Sequence, residues 1–133
     1  MKVQVRYYSR SGNTKTLAEA IAKGVNTEAI SVDDNNAFIS DKTDVLFIGG
    51  ALYAYGLDKK IKEYISTLHS DNIDKAVVFS TSWISKHSID LIKKALRDKG
   101  IDVIGDYIYY KNKPNAKELK EAEKIARKMI HIE

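Results

Sequence analysis

Two short runs of consecutive apolar residues constrain the fold of this 133-residue chain more than any other feature. Val45–Ile48 and Ala76–Phe79 contain no polar residue, which is typical of strands that are buried on both faces. Segments with apolar residues three and four positions apart lie before, between and after them, and this spacing predicts helices. The sequence therefore predicts an α/β fold in which helices cover both faces of a mainly parallel sheet.

The alternation of strands and helices continues from one end of the chain to the other. Strands are predicted at about Lys2–Tyr8, Glu28–Asp33, Val45–Ile48, Ala76–Phe79 and Ile101–Tyr110. Helices are predicted at about Thr14–Val25, 57–68, Lys86–Lys99 and 116–130. Asn115 and Glu118 have the spacing of a capping box at the start of the last helix. Because we find no linker or repeat, we expect a single domain over residues 1–133.

The connection between the second and third strands is unusually poor in helical signal. Asp34–Thr43 is short and polar, so the second crossover helix should be short or missing. Gln4 and Arg6 share one face of the first strand, which fits a face that this connection leaves partly open. Arg6 would then pair with Asp33 or Asp34, or the face would serve as a partner surface, for example in a weak homodimer through Gln4 and Arg6.

The amino-acid composition excludes several classes of chemistry. The chain has no cysteine, which excludes disulfides and thiol catalysis, so any redox chemistry must belong to a bound cofactor. Its 22 Lys and Arg residues against 18 Asp and Glu give a net charge of +4. The basic residues are spread over helix faces without interleaved aromatics, which argues against nucleic-acid binding. The absence of a long apolar run or a signal-peptide pattern predicts a cytoplasmic protein with no membrane segment.

The loop after the first strand is the strongest candidate for a binding site. It consists of Ser9, Arg10, Ser11, Gly12, Asn13 and Thr14. A strand that turns into a helix presents unpaired backbone amides and the positive end of the helix dipole, which suit a phosphate. Since the loop lacks a P-loop lysine and the spaced glycines of a dinucleotide site, a monophosphate is the better ligand. The alternative is an ordinary helix start with Thr14 as the cap.

Two further loops bring aromatic side chains to the same edge of the predicted sheet. Tyr53 and Tyr55 lie in the segment Gly49–Gly56, and Trp83 lies in Ser80–Ser85. Each aromatic residue could simply pack against its neighbours. Together, on either side of a phosphate loop, they predict a flat ring that is held by stacking.

The chain resembles the flavodoxin family in three places. Tyr7–Thr14, followed by Ala18 and Ile21, is similar to the family's FMN-phosphate motif, Gly49–Gly56 to its first flavin-ring loop, and Pro114–Leu119 to the start of its last helix. The resemblance implies a five-stranded parallel sheet in the order 2-1-3-4-5 and an FMN phosphate bound by Ser9–Thr14. It further implies that the flavin ring is held by Leu52, Tyr53, Ala54, Tyr55, Thr81, Ser82 and Trp83.

The function that follows from this resemblance is electron transfer by bound FMN between redox partner proteins. An electron carrier is favoured over a catalyst with its own substrate, and no catalytic residue or metal site is predicted. His87 is either a proton donor to the flavin or an exposed residue at a helix start. Two alternatives stay open: a flavin-dependent quinone or porphyrinogen oxidoreductase, and a flavodoxin-like binding or regulatory module without flavin.

Overall fold

The main sheet has five parallel strands, and their order confirms the prediction. The computed structural model describes residues 1–53, 56–82 and 86–131, with the backbone alone at Tyr53. The strands are β1 (Val3–Tyr7), β2 (Ala29–Ser31), β3 (Thr43–Gly49), β4 (Ile73–Ser80) and β5 (Val103–Tyr109). They lie side by side in the order β2-β1-β3-β4-β5, with every neighbouring pair parallel. The predicted 2-1-3-4-5 arrangement is therefore correct.

Four helices cover this sheet within the described residues. They are α1 (Asn13–Gly24), α2 (Lys59–Ser66), α3 (His87–Asp98) and α4 (Ala116–His131). Apolar residues of α1 and α4 pack in one core with Val5 and Phe47, whereas those of α2 and α3 pack in a second core with Leu46 and Ile48. Alternate residues of the same strands thus enter opposite cores, as expected for a sheet covered on both faces.

The segment between β3 and α2 differs from the prediction. The sequence interpretation started the helix at Leu57, but residues Leu52–Tyr53 pair antiparallel with Gly56–Leu57 in a short hairpin. Helix α2 begins two residues later, at Lys59. Asp58 caps it by accepting a hydrogen bond from the Lys60 amide at 2.9 Å, which fixes the helix start after the hairpin.

The capping box at the start of α4 is confirmed. The Asn115 amide donates to Glu118 Oε1 at 3.0 Å, and the Glu118 amide donates to Asn115 Oδ1 at 2.8 Å. Two amides at the helix start, which have no partner within the helix, are satisfied in this way.

The crossover between β2 and β3 is short, as predicted, but it does not leave Arg6 open. It contains a single turn of 3-10 helix at Asn35–Ala37, and Ala37 packs over the sheet. Arg6 is 2% exposed and donates through Nε to the Ala37 carbonyl at 2.8 Å and through Nη1 to the Val5 carbonyl at 3.1 Å. The expected pairing with Asp33 or Asp34 is therefore wrong, because the chain folds back over the strand and supplies carbonyl acceptors. Gln4 is half-buried, and a homodimer through this face stays a prediction.

No helix in the ranges that the structure describes is both long and apolar enough to cross a membrane.

Candidate functional site

The loops that leave the carboxyl ends of β1, β3 and β4 meet at one edge of the sheet. The Tyr8 amide donates to the Gly49 carbonyl at 3.1 Å, which joins the first loop to the second. The hydroxyls of Thr14 and Thr81 share a buried hydrogen bond of 2.7 Å, which joins the first loop to the third. The three segments that the sequence placed at this edge are therefore in contact, as expected beyond the carboxyl ends of parallel strands.

The start of α1 is open to a ligand. Its N-cap is Gly12, in the left-handed conformation with φ +95° and with no side chain to accept a hydrogen bond from the first turn. The first turn contains no acidic residue, and within the described residues we find no acceptor for the amides of Thr14 and Lys15. These amides and the helix dipole suit an anion.

Hydroxyl groups shape this loop. Ser9 Oγ accepts a hydrogen bond from the Gly12 amide at 2.9 Å, and Ser11 Oγ accepts one from the Asn13 amide at 3.4 Å. The alternative in which Thr14 caps the helix is wrong, because Gly12 occupies the N-cap position, and Thr14 is the second residue of the helix with its hydroxyl bonded to Thr81. The loop thus presents neutral amide and hydroxyl groups at the helix start, which fits a phosphate monoester.

Arg10 lies in the loop Ser9–Thr14, which the sequence predicts to bind phosphate and which we name the phosphate loop. Arg10 forms an ion pair with Asp58, a residue that the sequence analysis did not single out. Its Nε lies 2.6 Å from Oδ2 of Asp58, whose side chain is 4% exposed. Asp58 uses its other oxygen to cap α2. This pair fastens the phosphate loop to the helix that follows the hairpin. The signal for Asp58 was available, since an aspartate directly before a helix is a common N-cap.

A fourth loop, residues 110–115, also borders the site and was not predicted. Asn112 has φ +64°. Its amide donates to the Thr81 carbonyl at 3.2 Å, and its Oδ1 accepts from Asn13 Nδ2 at 3.2 Å. Asn112 therefore links the third loop to the phosphate loop. Its sequence signal is the asparagine itself, which tolerates the left-handed conformation in turns.

The predicted ring contacts are described only in part. Leu52 is half-buried in the hairpin, and Thr81 and Ser82 are each 4% exposed. The Ser82 carbonyl accepts a hydrogen bond from the Tyr109 hydroxyl. The predictions for Ala54, Tyr55 and Trp83 lie outside the described residues, as does the side chain of Tyr53.

The beginning of the third loop is held firmly. Ser80 Oγ donates to the Gly50 carbonyl at 2.6 Å and lies 2.6 Å from the hydroxyl of Ser88, so β4, the second loop and α3 are joined below the site. His87 is exposed at the first residue of α3, and its role as a proton donor stays a prediction.

Tyr110 anchors the fourth loop and predicts a pH dependence of stability. Its hydroxyl donates to Glu121 Oε1 at 2.7 Å, and burial, followed by this hydrogen bond and the nearby carboxylates, raises its pKa above the usual 10.0. Below pH 10 the phenol is protonated in the folded and unfolded states alike. Above pH 10 the unfolded chain ionises first, so the free energy of unfolding should fall as pH rises.

We expect Tyr110→Phe to show a smaller fall in the free energy of unfolding than the parent chain between about pH 9 and 11. The measurement is urea unfolding at a series of pH values. Tyr107→Phe, which removes the hydroxyl of an exposed tyrosine, is the matched control for loss of a phenol as such. Equal slopes for Tyr110→Phe and the parent would contradict the assignment.

Comparison with known proteins agrees with the fold. The sequence model of the Flavodoxin domain family matches residues 4–130. The chain is 30% identical to the flavodoxin of Megasphaera elsdenii over 95% of its own length and 98% of that protein. It superposes on a flavodoxin from the domain Archaea with a TM-score of 0.81 and 25% identity, covering 98% of this chain and 97% of that one.

A second structure, the oxidised flavodoxin 1 of Bacillus cereus, gives a TM-score of 0.79 at 20% identity and covers 100% of this chain and 99% of that one. The fold is thus that of a short α/β domain with its candidate site beyond the carboxyl ends of the strands. The chain belongs to the flavodoxin domain family.

Proposed function

We propose that this chain binds FMN and transfers electrons between redox partner proteins. The observation that carries the proposal is the start of α1, where Gly12 provides no side-chain cap and the amides of Thr14 and Lys15 have no acceptor within the described residues. The hydroxyls of Ser9 and Ser11 lie beside them, bonded to the amides of Gly12 and Asn13. The relative from Megasphaera elsdenii that carries the name flavodoxin supports it. Function as a single domain in the cytoplasm is part of the same proposal.

The residues of the loop fit a phosphate monoester. In the proposed complex, the amides of residues 13–15 and the hydroxyls of Ser9 and Ser11 would hold the phosphate. Asp58, which contacts this loop, is paired with Arg10, and this pairing reduces the repulsion between its carboxylate and a dianion. The segments 52–55 and 81–83 would hold the flavin ring.

The protein's contribution is binding and orientation. Bound FMN would supply the electron uptake and release for which a chain without cysteine has no side chain. The pair Arg10–Asp58 keeps the phosphate loop against α2, and the bond between Thr14 and Thr81 keeps it against the third loop. These links hold the phosphate loop in place against α2 and the third loop before any ligand arrives. Such preorganisation lowers the free-energy cost of binding.

Titration with FMN and with riboflavin tests this proposal directly. We expect the protein to quench FMN fluorescence at much lower concentration than riboflavin, which lacks the phosphate. Loss of two charge-assisted hydrogen bonds of about 1.5 kcal/mol each corresponds to roughly a hundredfold weaker affinity.

Equal affinity for both flavins would show that Ser9–Thr14 is not the anchor. Failure to bind either flavin would favour the alternative of a flavodoxin-like module without cofactor. Steady-state oxidation of a nicotinamide cofactor by a quinone, catalysed by the FMN-loaded protein, would favour the oxidoreductase alternative.

A further inference from the structure

Charge is distributed unevenly around the candidate site. The loops after β1, β3, β4 and β5, together with the first turn of the helix that follows each, contain nine basic and three acidic residues. The basic ones are Arg10, Lys15, Lys59, Lys60, Lys62, Lys86, Lys111, Lys113 and Lys117, and the acidic ones are Asp58, Asp90 and Glu118. The loop after β2 adds two aspartates, but β2 and β5 are at opposite ends of the sheet. The loops after β1 and β3 hold five of these basic residues and one of the acidic ones, and the loops after β4 and β5 hold four basic and two acidic, so the charge is positive on both sides of the edge.

On the side of β4 and β5, we group four lysines and a tyrosine under the name basic rim: Lys86, Lys93, Tyr107, Lys111 and Lys113. The ammonium groups of Lys93 and Lys86 lie 5.1 and 5.5 Å from the centre of the Tyr107 ring, within the range of cation–π contacts. Among the residues that the structure describes, we find no carboxylate in ion-pair contact with these lysines. Their charge is therefore available to a partner.

The basic rim borders the proposed cofactor site. Lys111 and Lys113 flank Asn112, which is bonded to Thr81 and Asn13. On β5, which runs into this loop, the hydroxyl of Tyr109 is bonded to the third loop, and Lys86 Nζ lies 5.7 Å from its ring. A molecule that contacts the rim would thus lie beside the loops that we propose hold FMN.

Two acidic residues lie nearby in the sequence, and neither removes this charge. Asp106 precedes Tyr107 on β5, and adjacent residues of a strand point to opposite faces of the sheet. Asp90 lies in the first turn of α3. Its single negative charge is smaller than the two positive charges of Lys86 and Lys93 from the same part of the chain. The net charge of the surface is positive.

We propose that the basic rim is the docking surface for a redox partner protein that presents acidic side chains around its own electron-transfer centre. This inference rests on the proposed function, since it names the partner class for the same site. Opposite charges accelerate association in a salt-dependent manner, and a partly exposed tyrosine among lysines is a suitable contact at the centre of such an interface. A protein partner is favoured over nucleic acid because the lysines surround one tyrosine rather than following a groove with several stacked aromatics.

Small electron acceptors of opposite charge test the electrostatics. The FMN-loaded protein is reduced and mixed with hexacyanoferrate(III) or with hexaammineruthenium(III), each of which accepts one electron per metal ion. Oxidation by the anion should slow as ionic strength rises, whereas oxidation by the cation should accelerate. The opposite salt responses, or none, would overturn the proposal.

Two double variants with the same change in net charge test whether the electrostatic effect on the oxidation rate arises at the basic rim. Lys111→Glu/Lys113→Glu should slow oxidation by hexacyanoferrate(III) by about tenfold at low salt. Lys124→Glu/Lys128→Glu alters two exposed lysines further along α4 and should change the rate by less than about twofold. Equal effects of the two variants would show that only the net charge acts, which contradicts a docking surface.

A second measurement does not depend on flavin. A decaglutamate peptide added to the isotope-labelled protein should shift the amide resonances of the basic rim, and Lys111→Glu/Lys113→Glu should abolish these shifts. Tighter binding of a decathymidylate of equal length would instead indicate nucleic acid and overturn the proposal. Peptide binding at the rim without any FMN binding would contradict the proposed electron transfer, whereas FMN binding without peptide binding or a salt response would contradict the docking surface alone.

Discussion

Replacing Gly24 by alanine is expected to lower the free energy of unfolding by about 2 kcal/mol. Gly24 ends α1 where this helix meets α4. An added Cβ would lie 2.9 Å from the carbonyl carbon and Cα of Glu123, and closer still to the carbonyl oxygen. Because the obstacle is backbone rather than a flexible side chain, the two helices must move apart.

Two effects of the substitution oppose each other. Overpacking typically costs about 1–3 kcal/mol, and the distances at Gly24 belong at the upper end of that range. Alanine is a better helix former than glycine by about 1 kcal/mol, which offsets part of the loss. The packing term is larger because separation of α1 from α4 also weakens the core that they share with Val5 and Phe47 and the hydrogen bond from Arg127 Nε to the Gly24 carbonyl.

Urea unfolding of Gly24→Ala and of a matched control measures this difference. Gly105→Ala is the control, since a Cβ at Gly105 meets no atom within 4 Å, and its stability should stay within about 0.5 kcal/mol of the parent. If Gly24→Ala were as stable as Gly105→Ala, the close approach of α1 and α4 would be contradicted.

The parts of the fold that could be predicted from the sequence are those with local signals. Continuous apolar runs located β3 and β4, apolar spacing located α1, and the pair Asn115 and Glu118 located the start of α4. The candidate site followed from the same information, because the ends of parallel strands must meet at one edge. Each of these signals involves residues that are close together in the chain.

The parts that could not be predicted depend on contacts between distant segments. Arg6 was expected at an open face, but its cover comes from Ala37, which lies 31 positions away. The pairs Arg10–Asp58 and Asn13–Asn112 are separated by 48 and 99 positions. Residue type shows that such groups need partners, but the partner itself depends on how each loop crosses the edge of the sheet.

The second large effect is expected at Gly12, where FMN affinity should fall by roughly tenfold or more in Gly12→Val. A left-handed conformation costs an ordinary L-residue about 1–2 kcal/mol, and a β-branched residue is an outlier there. Gly12 has φ +95°, so valine would pull the loop away from this conformation. The amides at the start of α1 would then no longer face the space that we assign to the phosphate.

In the free protein, the effect of valine at position 12 would come from its backbone preference and not from steric crowding. A Cβ at Gly12 meets no atom within 4 Å, so valine has room but the wrong backbone preference. Asparagine tolerates the left-handed region, and Asn112 already adopts it at φ +64° in this chain. Gly12→Asn should therefore retain more FMN affinity than Gly12→Val, although its side chain is of comparable size.

Fluorescence titration with FMN and with riboflavin distinguishes a defect at the phosphate site from a general disturbance of the protein. Loss of FMN affinity in Gly12→Val with little change for riboflavin would place the defect at the phosphate, as expected. An equal loss of affinity for both flavins would mean that the substitution disturbs the fold or the segments 52–55 and 81–83, which we propose hold the flavin ring. Equal losses of FMN affinity in Gly12→Val and Gly12→Asn would contradict the role of the positive φ, because only the first variant is strained by it.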